Sequence, residues 1–279
     1  MSANESERAC EQAIRERFPV LDKMRAASAM FTPAKSSELH LDDEDWIPHP
    51  LSQSAYQAFT AALDHLQAIR VHLDVPKPVL FPYAHLSLCR PALVAASLAV
   101  WLLNPAERQE RIERHRISIA DELRNHARYL SELTHLDPSH ENTAAVLAHV
   151  RLRLSEINTK LGVTSKKSWD KLRVSTTDQI GVAADALAES LVASKRSADD
   201  PRQLANEIKL SWQATSGAAH GLTWQINGTP SIEQAGEADE YGRALFTAGG
   251  SFGQLANHYC SAIEMARLSW DLLKQRGGR

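Results

Sequence analysis

The sequence predicts an all-α protein, an up-and-down bundle of about seven or eight helices. Three observations predict it. Ala and Leu dominate an apolar fraction of 43%, and both are strong helix formers. Apolar side chains recur at spacings of three and four over most of the chain, which is the helical period. Gly and Pro number only 12 each, too few for a disordered or fibrous chain. At 279 residues the chain can bury a core without disulfides or metals.

The elements follow in order. Ile14, Phe18, Leu21 and Met24 mark a first helix over about residues 4–29, which Pro19 bends or breaks. Residues 30–51 are acidic and Pro-containing and read as a loop, so 1–51 form an arm and 52–279 the bundle domain. Ser52 suits an N-cap. From there Tyr56, Phe59, Leu63, Leu66, Ile69 and Leu73 trace one apolar face. The prolines of 75–82 stop that helix. The next, 83–103, is apolar on most sides and belongs at the centre. Asn104-Pro105 ends it and opens a long, charged helix to 136, with Pro at its first position. Asn142 caps a helix to Leu161, and Gly162 suits its C-terminus. Residues 163–177 are a polar loop with room for a short helix. Further helices fit 178–196 and 201–227, the latter ending at Asn227-Gly228-Thr229-Pro230. The Gly-rich stretch 228–250 has room for a short hairpin, and a last helix covers 251–275.

Composition narrows the function classes. A net charge of −3 gives no global pull towards nucleic acid or anionic membrane. Cys10, Cys89 and Cys260 are far apart and form no C-x-x-C pair, so reduced thiols in a cytoplasmic protein are expected. The charged N-terminus lacks the apolar core of a secretory signal. Leu86–Leu103 is interrupted by Arg90-Pro91 and reads as a core helix, not a span of a bilayer of about 30 Å. Glu132-x-x-His135 stands alone, whereas a di-iron bundle needs two such pairs, so neither metal nor cofactor is expected. Gly249-Gly250-Ser251-Phe252-Gly253 precedes a helix but follows no strand, and reads as a helix entry turn rather than a phosphate loop.

Two stretches stand out. In the first, SWQATSGAAHGLTW, one helix would place Trp212, Ser216, Ala219, His220, Thr223 and Trp224 on one side. Gly217, Ala218 and Ala219 remove bulk, so a neighbouring helix can approach, and His220 is expected to be buried against the Arg90 helix. Such a Ser and His most often satisfy each other or a neighbour. In the second, Arg90 interrupts LSLCRPALVAASLAVWLL on the face of Leu86, Val94, Ser97 and Trp101. A guanidinium cannot shed its proton, so inside a bundle it must find acceptors or a ligand anion. At a helix start before Pro91 it would instead lie in solvent.

CRPALVAASLAVWLLNPAERQERIERHR, followed about a hundred residues on by WQATSGAAHGLTW, resembles a set of helical proteins from actinobacteria and their phages that carry an S-G-x-A-H-G element. The acidic residue that often follows the Arg by one turn in that set is Val94 here. More loosely, the chain resembles the HEPN group of helical bundles, many of them ribonucleases of toxin and phage-defence systems. Their signature, Arg followed after about four to six residues by His, has counterparts at Arg108–His115 and Arg128–His135.

Three functions are compatible with these residues. The favoured one is an interaction or regulatory protein without catalytic activity, binding another protein or a second copy of itself as a homodimer. The resemblance implies a HEPN-like ribonuclease, in which His115 would move protons and Arg108 would stabilise phosphorane charge. Nucleic acid is nonetheless not the favoured partner, because Glu107, Glu110 and Glu113 are interleaved with the basic residues and partly neutralise them. That charged segment is read as a solvated, ion-paired surface. The third function is a small-ligand pocket around Arg90, Trp101, Trp212, Ser216, His220 and Trp224.

Overall fold

The structure, a computed structural model, describes residues 3–137, 141–225 and 232–278. They are predominantly α-helical, as the periodicity predicts. α1 (Ala3–Arg15) and α2 (Phe18–Ser28) divide the first predicted helix ahead of Pro19, which takes an opening position of α2. α3 (Glu38–Asp43) is a short helix inside the acidic segment read as loop, capped by Ser37. α4 (Leu51–Leu73) begins one residue before Ser52. Asp43 anchors that end from outside: its carboxylate accepts from the Ser52 backbone N–H at 2.8 Å and hydroxyl at 2.6 Å.

Residues 3–51 are not an appended arm. Ile14, Phe18, Leu21, Met24 and Leu39 are buried in the same core as α4, because helices with one apolar face must set it against something. α5 (Ala84–Leu103) runs through that core, packed against α4 and against α9 (Thr176–Ala193), α10 (Pro201–Ala219) and α11 (Phe252–Gly277). Among the described residues it alone is long and apolar enough to cross a membrane, and most of it is buried. Phe59 of α4 stacks on Trp270 of α11 with ring centroids 5.4 Å apart.

α6 (Arg108–Leu136) starts three residues after Pro105, whose carbonyl serves as an acceptor instead. It leaves the main body, and α7 (Glu141–Lys160) packs back along it. With α8 (Lys166–Leu172) these helices enclose a second, smaller core of Ile117, Leu123, Leu130, Leu147, Ile157 and Trp169.

α10 ends at Ala219, short of the predicted 227. Gly221 adopts φ +67°, and the Leu222 N–H reaches back to the Gly217 carbonyl at 3.0 Å, a helix stop that favours glycine. The predicted turn at 227–230 lies outside the described residues. The hairpin for which 228–250 had room is present: β1 (Ile232–Gln234) pairs antiparallel with β2 (Phe246–Ala248), Ile232 opposite Ala248.

Contrary to the expectation that no strand precedes it, the Gly-rich entry to α11 follows β2 directly, yet it is closed to phosphate. Ser251 caps it, and the Glu7 carboxylate accepts from the Phe252 and Gly253 N–H groups at 2.9 and 3.1 Å. Just before it, Gly250 donates to the Leu80 carbonyl at 3.2 Å, and a β-carbon there would fall 2.6 Å from the Leu80 carbonyl carbon. Gly250→Ala must therefore push two backbone segments apart. A loss of about 1–3 kcal/mol in urea unfolding is expected, with Gly249→Ala, which meets nothing within 4 Å, as the silent control.

Candidate functional site

The two conspicuous sequence stretches meet at one point. Arg90 lies inside α5, not at its start, and its Nε–H donates to Ser216 Oγ at 3.2 Å. The rest of the predicted pocket does not assemble. Trp101 is eleven residues further along α5, roughly 16 Å away by helical rise. It is buried at the other end, under the Arg114 guanidinium. His220 caps the C-terminus of α10 and is exposed, contrary to the expected burial, because the stop at Gly221 turns the chain outward. Trp224 therefore leaves the helix. It lies in a short 3-10 turn with its ring against Gly217, and over half of it faces solvent. Trp212 is half-buried against the core. Arg90 and Ser216 thus serve the α5–α10 contact.

Arg108 and His115 are also separated by their surroundings. Arg108 is on the surface, its Nη2–H donating to the Leu41 carbonyl at 2.7 Å and its Nε 3.3 Å from Asp42. His115 is only 3% exposed and shares a hydrogen bond of 3.1 Å with the Ser54 hydroxyl. Burial pushes its pKa down to about 4, with Asp45 opposing and His49 and Arg116 adding to the shift. A neutral imidazole sealed in the core has no access to an RNA phosphate. In the second HEPN-like pair both Arg128 and His135 are exposed.

The charged segment of α6 is only partly a surface. Arg114 and Glu110 form the expected i,i+4 pair at 2.6 Å, but Arg111 is 2% exposed. Its Nε and Nη2 grip the buried Asp42 carboxylate at 2.7 and 3.2 Å, and its Nη1 donates to the Pro105 and Ala106 carbonyls. Arg114 donates to the Trp101 carbonyl, and Arg276 to those of Leu103 and Pro105. α5 has no basic residue in its own last turn. Arg114 and Arg276 supply donors to the last carbonyls of α5, and Arg111 and Arg276 to those of the turn that follows it.

Two adjoining concavities lie where α6 departs from the main body; a shallower one, of about 800 Å³, lies apart from them along the end of α4, between Asp64 and Val79. One pocket, of about 570 Å³, opens between α6, α7 and α8. Its cations are Arg124, Arg128, Lys166 and Arg173, against two carboxylates, Asp121 and Asp170. Arg124 is fixed. Its guanidinium lies 3.7 Å over the Trp169 ring and donates to the Ala120 carbonyl and to Asn158; burial lowers its pKa, with Asp121 opposing. The Arg173–Asp121 and Lys166–Asp170 pairs are exposed, and such pairs are weak enough to exchange partners. Arg128 has no partner among the described residues, nor do Lys167 and Lys171 elsewhere on α8.

A second groove, of about 610 Å³, adjoins the first and shares Asp121, Asn125 and Arg173 with it. Val94, Leu98, Ile117 and Val174 give it an apolar lining, and Tyr129 stands exposed at its rim. Sequence reasoning did not single out this cleft. Its residues come from five separate segments, and its one local signal was the cationic run SKKSWDKLR (165–173). Among the described residues no group of three or more His, Cys, Asp or Glu side chains converges to hold a metal, and all three cysteines are free. The chain matches no family model, no curated protein and no solved structure.

Proposed function

We propose that this chain is a non-catalytic interaction protein, and that the cleft between α6, α8 and α9 docks an acidic segment of a protein partner that also carries large apolar side chains. The observation that carries the proposal is the junction of a cationic pocket with an apolar groove, in a chain whose net charge is −3. The cations supply complementarity, and the apolar lining supplies the desolvated contact on which affinity depends.

Three features favour an acidic peptide over RNA. The overall charge gives no long-range attraction for a polyanion. Asp121, Glu122 and Asp170 divide the cations into separate points, which suits a few spaced carboxylates better than a continuous phosphate backbone. Trp169 is buried beneath Arg124 and offers no face to a base, which leaves the rim residue Tyr129 as the exposed ring at the cleft, short of a platform for successive bases.

Fluorescence anisotropy with three labelled probes tests this: a peptide alternating Glu with Leu and Phe, its Lys counterpart, and a single-stranded RNA. The acidic peptide is expected to bind at least about tenfold more tightly than the others. Arg128→Glu with Lys166→Glu is expected to weaken it by about tenfold or more. Equal binding of the two peptides would overturn the proposal. Preferred binding or cleavage of the RNA would put the HEPN-like ribonuclease in its place.

A further inference from the structure

We infer that the segment received by this cleft is the β1–β2 hairpin of a second copy of the same chain, each copy filling the other's cleft in a closed pair. The inference rests on the docking function proposed above and names its partner.

The hairpin has the chemistry that the cleft lacks. β1 and β2 pair over three residues each, and a two-stranded ribbon of that length is marginal in water unless it packs on something. Its apolar side chains are left outside: Leu245 is 78%, Tyr241 73% and Phe246 58% exposed. Large apolar side chains gathered on one short element mark a contact surface. They do not sit in the cleft of their own chain, or they would be buried.

Its charge is opposite to that of the cleft. Asp239 is taken up inside the turn, accepting from the Tyr241 and Arg243 N–H groups and from the Arg243 guanidinium. That pairing neutralises the only cation of the hairpin. Glu233, Glu237 and Glu240 are exposed and have no ion-pair partner among the described residues. Across the contact, Arg128 is equally unpartnered, and Lys166 and Arg173 hold only exposed partners that a new carboxylate can replace. Leu245 and Phe246 would take the apolar groove, and the turn carboxylates the cationic pocket beside it. A hairpin-to-cleft contact joins two different patches, so it closes without an open chain when the two copies exchange hairpins about a two-fold axis.

Sedimentation velocity over a range of concentrations tests the inference with two charge-reversed proteins. One carries Glu237→Lys and Glu240→Lys in the hairpin, the other Arg128→Glu and Lys166→Glu in the cleft. The wild type is expected to dimerise, more weakly at high salt, and each variant alone to be monomeric. Mixed one to one, the variants are expected to recover a dimer, because each hairpin then meets a cleft of opposite sign. That rescue also shows that both variants are folded. The hairpin variant, with its cleft vacant, is expected to bind the acidic peptide probe more tightly than the wild type. A wild type that stays monomeric while the peptide still binds would sink the hairpin inference and leave the docking function standing. A monomer that binds no peptide removes both. A dimer that survives in both variants places the interface elsewhere and also overturns the inference.

Discussion

Arg111→Ala is expected to lower the unfolding free energy by about 3–5 kcal/mol, the usual range for removing one member of a buried ion pair. The reason is what stays behind. Asp42 is wholly buried and loses both bonds of its bidentate partner, keeping only Arg108 at 3.3 Å. The Pro105 and Ala106 carbonyls also lose the donor shared between them. Water cannot replace the guanidinium without opening the junction of α3, α5 and α6. Arg108→Ala, on the surface, is expected to cost under about 1 kcal/mol. Replacing both buried partners, Arg111→Met with Asp42→Leu, removes the uncompensated charge, so the double variant is expected to be more stable than Arg111→Ala alone. Urea unfolding of the three proteins checks the order. A cost below about 1 kcal/mol for Arg111→Ala would mean that the network adds nothing beyond a surface pair.

That junction shows where the sequence stops being legible. The helices were readable because their apolar spacing is a local property, and the break before Pro19 and the stop of α7 just before Gly162 needed only single residues. The Arg90–Ser216 contact was foreseeable because small residues on α10 permit close approach. His220 was misread although the signal, Gly221, is its neighbour: the helical pattern to Trp224 outweighed a glycine that terminates α10. Asp42 and Arg111 are 69 residues apart. Each looked like part of a solvated charged run, and only the tertiary fold sets the acidic segment around α3 against the basic start of α6. The cleft was hidden for the same reason, since its cations sit on α6, on α8 and just beyond it. An arginine's burial depends on its neighbours in space, and periodicity carries no information about them.

Acidification is expected to destabilise the fold well before its carboxylates titrate. His115 and His258 are held neutral by burial, each with its pKa pushed from 6.5 down to about 4. His115 bonds the Ser54 hydroxyl, and the His258 ring lies 2.8 Å from the Ser211 hydroxyl. His49 and His85 shift in the same direction for the same reason. The sign follows from linkage. A histidine with a depressed folded pKa binds its proton more readily in the unfolded chain, so its stabilisation is complete above pH 6.5 and is lost as pH falls towards 4. Each of the two contributes about 3 kcal/mol over that window. Together they approach about half of the 5–15 kcal/mol typical of a whole domain. Between those limits the unfolding free energy is expected to fall by about 2.7 kcal/mol per pH unit, the slope for two protons. His115→Gln, which keeps a partner for Ser54, is expected to start lower at neutral pH but to flatten the slope by about 1.4 kcal/mol per unit. Urea titrations from pH 7 down to about pH 4.5 measure both quantities. A wild-type stability that is level between pH 6.5 and 5 would show that both rings reach solvent, and with it that the imidazole of His115 is available for chemistry after all.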